Sequence, residues 1–491
     1  MNKILKQSFW STIIIYIGVV LGFINSIFLF PKFLSPDQIG LIRQIISAST
    51  ILIPLATFGV SASYIKFYPT FNISKKEKNE YFTFYFLIIS ISYLLIFSIL
   101  NFLFDDIKNV FTEKSDLLFQ YFDILLLILL FMSFSSLFEA FLKSRYNTIM
   151  NNYVNGVSNR LLTSISIIIF SYGLISFNDL IFLQPLIYFI GLLILVSYSY
   201  QIEKFSFNLN FQNIKKSLNK IINFNSYSFL GAFSSMLVLN VDVLMVTSIL
   251  GLTQTGIYTT AFYIGMIIEI PRRAISQIST PYISENLKNN NYSKIEKNYK
   301  DVSLHQCMIG VIFLVIILIN LDNIYNIIPN TEKFISGKNV VYIIGISKLI
   351  IMSFSYNSEL ISLSKYYRFT VITILSLALL TIILNLLLIP FYGMEGAALA
   401  SLISITIFNI IKFLYIKIKM KISPFSIDTL KIILIGIFIY YFSSFIPQFE
   451  NNFLDIILKS TVTMSFYIIT LYSLKISPAF NEIIKKIIGK R

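Results

Sequence analysis

Arg272 and Arg273 follow Pro271 directly, inside a long apolar stretch of the chain. A guanidinium presents planar, forked donors that match phosphate oxygens two at a time. Proline frees a backbone carbonyl and bends a helix. A bent helix carrying two arginines is therefore suited to binding a phosphate-bearing anion. Neighbouring residues on a helix lie about 100° apart, so both arginines can border one cavity without sharing a face. The alternative is that the helix stops at Pro271 and both act as anchors at a membrane edge.

Other ionisable residues also fall inside apolar stretches, where such groups are costly and usually functional. The cations are Arg160, Lys348, Arg43 and Lys66. Lys348 has Gly345, Ser347 and Ser353 nearby, which reads as a polar helix face. Arg43 is either a cavity group or a side chain reaching for headgroups. Among the acids, Glu269 lies three and four residues before the arginine pair, close enough to neutralise part of it. Asp242 can pair with a cavity arginine or hold a coupling proton or Na⁺. Asn240, two residues away, points to another helix face, so the two do not form a compact metal site. Glu139 and Glu359 read as exposed groups near inner helix ends, and Glu395 as a helix-start residue. His305 reads as an interfacial structural histidine, with a proton switch as the alternative. One cysteine and one histidine exclude a disulfide framework and a Cys/His zinc site.

The elements that must position these groups are apolar segments. Charged residues make up 13% of the 491-residue chain, about half the share usual in a soluble protein, and mean hydropathy is +0.76. A helix needs about 20 apolar residues to cross a bilayer. About fourteen such spans follow one another, at 10–30, 41–68, 81–104, 117–142, 153–175, 180–202, 223–250, 256–283, 302–321, 340–364, 368–389, 394–416, 428–447 and 453–474. They are continuously apolar, which favours helices over a membrane barrel. The expected class is an all-α polytopic membrane protein. Its first span lacks a small-residue cleavage site and reads as a retained helix.

The net charge of +15 has a better use than nucleic acid. Lys and Arg concentrate in alternate gaps, as in Lys75, Lys76 and Lys78, then Lys143 and Arg145, then Lys215, Lys216 and Lys220. The opposite gaps hold few, mostly beside acids such as Asp105, Asp106 and Glu113. This positive-inside asymmetry places both termini in the cytoplasm, which requires an even number of spans.

The two halves of the chain echo each other. Gln38 and Gly40 recur as Gln254 and Gly256, Pro54 as Pro271, and Gly173 as Gly393, all at shifts of about 216–220 residues. Six spans per copy give both copies the same orientation, a transporter architecture. The expected organisation is a six-helix lobe over 1–222, a second over 223–417, and accessory helices 13 and 14 with a basic tail over 418–491.

Three segments carry a family resemblance. They are Asn240-Val-Asp-Val-Leu-Met-Val with Leu250-Gly and Thr255-Gly-Ile-Tyr-Thr-Thr-Ala261, the loop Leu34-Ser-Pro-Asp-Gln-Ile-Gly40, and Ile389-Pro-Phe-Tyr-Gly-Met-Glu-Gly-Ala-Ala-Leu-Ala-Ser401. With fourteen spans in this order, the chain resembles the O-antigen and capsule repeat-unit flippases of the MATE-like MOP exporter superfamily. The resemblance implies two lobes around a central cavity and outward movement of an undecaprenyl-diphosphate-linked oligosaccharide across the bacterial inner membrane. It also implies partners among membrane lipids and other polysaccharide-assembly membrane proteins.

Such a cargo needs a polar, cationic path. Arg272, Arg273, Arg160, Lys348, Arg43 and Lys66 are its candidates, with Asp242, Glu269 and Asn240 for ion coupling or structural pairing. No cofactor is expected, since no Walker-type loop occurs. A membrane glycosyltransferase or polymerase is the different-class alternative. It would need a sizeable outer loop, and the longest here, about 322–339, holds few charges. A lipid II flippase shares the diphosphate. A drug exporter calls for an acidic cavity instead.

Overall fold

The computed structural model describes residues 3–71, 74–487 and 489. Among them the secondary structure is helical throughout. The chain divides into two compact units, Met1–Thr259 and Thr260–Arg491.

In the first unit, α1 (Lys3–Ile24) runs through a π-turn at Asn25–Leu29. Then come α2 (Pro36–Thr57), α3 (Val60–Phe67), α4 (Lys75–Phe102), α5 (Phe122–Lys143), α6 (Asn159–Ser171), α7 (Phe177–Ile202) and α8 (Leu218–Leu250). The unit boundary falls within α9 (Leu252–Met266). In the second unit lie α10 (Ile270–Lys288), α11 (Tyr292–Ile319), α12 (Lys338–Phe354), α13 (Asn357–Leu363), α14 (Tyr367–Met420), α15 (Ile427–Ser443), α16 (Asn452–Ser473) and α17 (Pro478–Ile487). The helix α8 packs along α2 and falls within the first compact unit.

Among the described residues, ten helices are long and apolar enough to cross a membrane, against an expectation of about fourteen. The difference has local causes. The span at 256–283 is interrupted by a 3-10 turn at Ile267–Glu269, just ahead of Pro271, whose nitrogen cannot donate a helical bond. The span at 153–175 carries a π-turn at Val154–Ser158. The 54-residue α14 covers two expected spans and reverses at Gly393, whose φ is +58°. The expected span at 428–447 is the 17-residue α15. Apolar side chains cover the outer faces of these helices. Ile91, Leu94 and Leu95 on α4 are 58%, 59% and 58% exposed, an arrangement stable only against lipid. The molecule is a multi-pass helical membrane protein.

Several starts and breaks were written locally. Ser35 and Gln38 form a capping box with Pro36 in the first turn of α2. Ser176 with Asp179 and Ser74 with Glu77 do the same for α7 and α4. After Pro54 the chain breaks at Phe58 and Gly59, both with positive φ (46° and 70°).

The repeated glycines meet. A Cβ on Gly40 would strike the carbonyl of Leu252, and one on Gly256 would strike the carbonyl of Pro36. The two loops of the repeat therefore pack reciprocally through bare backbone. Beside them, Thr247 donates to Gln44 Oε1 at 2.9 Å.

At one end of the first unit a tyrosine-rich core encloses Tyr64, Tyr81, Tyr85 and Phe141. Arg145 stacks on Phe141, 3.4 Å from the ring centroid. Its Nε donates to Glu203 at 2.6 Å, and Lys78 reaches the other carboxylate oxygen at 2.7 Å. Burial raises the proton affinity of Glu203, but Lys78 and Arg145 outweigh it and hold the carboxyl below its ordinary value. A depressed carboxylate stabilises the fold above its unfolded pKa, about 4.3, and loses that contribution as pH falls through its folded one. Glu203→Gln should therefore lower thermal stability in detergent at pH 7, by about 1–3 kcal/mol. It should also flatten the loss of stability on acidification from pH 5 to 3. A melting curve with unchanged pH dependence would refute this.

Candidate cationic site

The sequence candidates separate into two groups, one in each unit. In the second unit, the 3-10 turn before Pro271 ends at Glu269, so α10 restarts with Arg272 in its first turns. α12 brings Lys348 to the same place. At its end Ser355 adopts φ 57° and ψ −130°. A non-glycine residue rarely takes that conformation, and the sharp turn leads into α13, which presents Ser358 and Glu359.

The charged atoms interlock. Glu269 Oε1 accepts from Arg272 Nε at 3.1 Å and Nη2 at 3.0 Å. Its Oε2 lies 3.0 Å from Lys348 Nζ. Glu359 Oε1 accepts from Ser276 at 2.6 Å and from Arg272 Nη1 at 3.4 Å. Lys412 of α14 is 3% exposed. It donates to Ser358 Oγ and lies 3.4 Å from the Phe408 ring centroid. Asn357 and Asn409 join these two helices at 2.9 Å.

Arg272 and Lys348 thus pair with two carboxylates, and Lys412, held by Ser358, adds a third basic side chain, for one formal positive charge in excess. Arg272 uses three of its five N–H groups, and the other two have no partner among the described residues. Glu359 Oε2 is buried without a hydrogen-bond partner among the described residues. The arrangement can accept a phosphate oxygen on the remaining Arg272 donors, while Glu269 and Glu359 hold the guanidinium in position. The side chain of Arg273 lies outside the described residues.

In the first unit, the π-turn of α1 serves two arginines. Ser26 accepts from Arg43 Nη2 at 2.7 Å, and the Arg43 guanidinium sits 4.7 Å from the Phe30 ring centroid. Asn25 donates to the backbone carbonyl of Arg160 at 3.0 Å, and the Arg160 guanidinium donates to the carbonyl of Gly18. π-turns often mark functional positions. The other candidates stand apart. Lys66 is exposed, its Nζ 3.7 Å from the Phe224 ring centroid. Asp242 is buried and accepts from Tyr258 at 3.1 Å. Asn240 bonds back to Met236 of its own helix at 3.0 Å.

Sequence reading passed over two members of the second-unit cluster. Glu359 read as an exposed inner-end acid, yet Arg272 and Ser276 hold it. Lys412 is not among the sequence candidates, although it is the sole Lys or Arg within the expected span 394–416. That isolation was the available signal. His305 pairs with Ser477 at 3.0 Å, outside the cluster.

Long apolar helices around an internal charge cluster define a multi-pass helical membrane protein. Solved structures share this fold. A lipid II flippase, MurJ in its inward closed conformation, aligns at TM-score 0.78 and 16% identity, covering 95% of this chain and 99% of that one. An inward-facing multidrug MATE transporter of the MOP superfamily aligns at TM-score 0.68 and 13% identity, covering 84% and 98%. A MOP transporter from Pyrococcus furiosus, described as having a binding pocket of reversed polarity, aligns at 0.59 and 13%, covering 85% and 95%. No curated protein matches in sequence. The family model described as "Polysaccharide biosynthesis protein" matches residues 4–287, and the chain belongs to that family.

Proposed function

We propose that the protein is a flippase that moves undecaprenyl-diphosphate-linked oligosaccharide repeat units from the cytoplasmic to the outer leaflet of a bacterial inner membrane. The observation that carries this reading is the Glu269–Arg272–Lys348–Glu359 cluster among otherwise apolar helices. With Lys412 beside it, the set holds one more cation than carboxylates, and an anionic headgroup would balance that excess. The polysaccharide-biosynthesis family model supports the same reading.

In this proposal the lobes, 1–222 and 223–417, alternate in access, and helices 13 and 14 are accessory. Both termini are cytoplasmic. Arg43 and Arg160 are the cations of the first lobe, and Arg272, Arg273 and Lys348 those of the second. Asp242 and Glu269 pair with cations or couple an ion. An inside-negative potential favours outward movement of an anion by about 2.3 kcal/mol per charge per 100 mV. Partner proteins of the assembly line would deliver and remove the cargo.

A second reading, a lipid II flippase, is favoured by the extent of the likeness to the MurJ structure. One experiment separates the two. Purified protein in proteoliposomes is given either a fluorescent undecaprenyl-diphosphate oligosaccharide or fluorescent lipid II, and leaflet exchange is followed by quenching. The proposal expects exchange of the oligosaccharide lipid at least about tenfold above empty vesicles. Exchange of lipid II alone supports the second reading, and exchange of neither overturns both.

A further inference from the structure

A groove far from the charge cluster in sequence has a composition of its own. One wall is the α11 face His305, Met308, Ile309 and Ile312, and the other is the α16 face Met464, Tyr467, Ile468 and Leu471. Each wall repeats at i, i+3, i+4 and i+7, so the groove runs along both helices for about 10 Å. Phe480 of α17 closes one end, and the cavity measures about 270 Å³. Tyr467 donates to the carbonyl of Met308 at 3.0 Å, holding the walls at a fixed spacing. The lining atoms are almost wholly apolar, so the groove offers water no partners. In a bilayer, hydrocarbon fills it.

The closed end is polar and basic. His305 Nε2 and Ser477 Oγ are 3.0 Å apart at the rim. α17 is amphipathic, with Phe480, Ile483 and Ile484 on one face and Asn481, Lys485 and Lys486 on the other. Ile483 is 57% exposed, as expected of a helix lying in a membrane interface. Lys475 in the preceding turn is also exposed. Lys475 precedes Ser477 by two residues, and Lys485 and Lys486 follow Phe480 by five and six, so the segment beside the rim carries three lysines, with Glu482 as the one acid of α17.

We infer that this groove is a binding site for an anionic phospholipid, with one acyl chain between α11 and α16 and the phosphate beside the lysines of the tail helix. The apolar walls select a chain, and the basic rim selects the headgroup. A site so placed tethers α17 to the end of the bundle, and it stands independently of which cargo the protein moves.

The test uses the full chain in a neutral detergent, with phosphatidylglycerol or phosphatidylcholine bearing the same diazirine-labelled acyl chain. Phosphatidylglycerol is expected to label residues 305–312 and 464–471 at least fivefold more than phosphatidylcholine. Ile468→Trp, which fills the groove, should lower that labelling at least threefold. Lys485→Gln with Lys486→Gln should bring the two lipids near parity. These two lysines lie on the exposed face of α17, so this variant decides the matter if Ile468→Trp fails to fold. Equal labelling by both lipids in the wild type, or an unchanged preference in the double lysine variant, overturns the proposal. So does displacement of phosphatidylglycerol by an equal amount of undecaprenyl phosphate, which would assign the groove to a polyprenyl tail.

Discussion

Arg272→Ala is expected to reduce leaflet exchange of a polyprenyl-diphosphate glycan at least about tenfold. The guanidinium sits between two carboxylates, Glu269 and Glu359, with two donors left over. A hydrogen bond to a charged group contributes about 1.5–3 kcal/mol, and 1.4 kcal/mol is a factor of ten in affinity. Removing the fork deletes at least one such bond to a phosphate. It also leaves Glu359 with Ser276 as its hydrogen-bond donor among the described residues. Arg272→Lys should recover only part of the activity, because an ammonium lacks the planar pair of donors.

The same substitution breaks ion pairs, so a structural effect must be separated from a transport effect. Arg272→Ala combined with Glu359→Gln removes the carboxylate left without a cation by the first change, while Glu269 keeps Lys348. This double variant should melt close to the wild type in detergent yet stay at background in exchange. Restored exchange would show that Arg272 is only a structural partner of Glu359. Full exchange by Arg272→Ala alone would remove the cluster from the transport path.

The second large effect lies in the packing of the repeat loops. Gly40→Ala and Gly256→Ala should each destabilise the first unit by about 3 kcal/mol or more. Overpacking a core with a methyl usually costs about 1–3 kcal/mol, because neighbouring side chains shift. Here the obstacles are the backbone carbonyls of Leu252 and Pro36, which cannot rotate away without moving a helix. Gly231→Ala provides the contrast. A Cβ there meets nothing within 4 Å, and α8 should gain up to about 1 kcal/mol in helix propensity. Melting temperature and size-exclusion monodispersity distinguish these outcomes. Equal melting of Gly40→Ala, Gly256→Ala and Gly231→Ala would contradict the close-packed geometry.

The glycine pair shows how far sequence reading reaches. The recurrence of Gln-x-Gly at a shift of 216 marked the loops as related, and the cap residues Ser35 and Gln38 marked where α2 begins. That Gly40 and Gly256 each face the other loop's backbone was beyond it, because contact between residues so far apart depends on how α2 and α9 cross. The span count differs for a related reason. Hydropathy counts apolar length, whereas Pro271 and the π-turn at Val154–Ser158 alter hydrogen-bond register inside a span without changing its hydropathy.

The sequence by itself determined that this is a helical membrane protein, where its apolar segments lie, and that Glu269 neighbours Arg272. Each of these follows from local properties: hydrocarbon tolerates only satisfied backbone, and residues three apart share a helix face. Only the tertiary structure decided that Lys348, Glu359 and Lys412 converge with that pair. Their meeting depends on the turn at Ser355 and on the packing of α10, α12, α13 and α14, which bring together charges distant in sequence, 87 residues apart for Arg272 and Glu359. An ion pair in a low-dielectric interior needs atoms within a few ångströms, and helix packing sets that proximity.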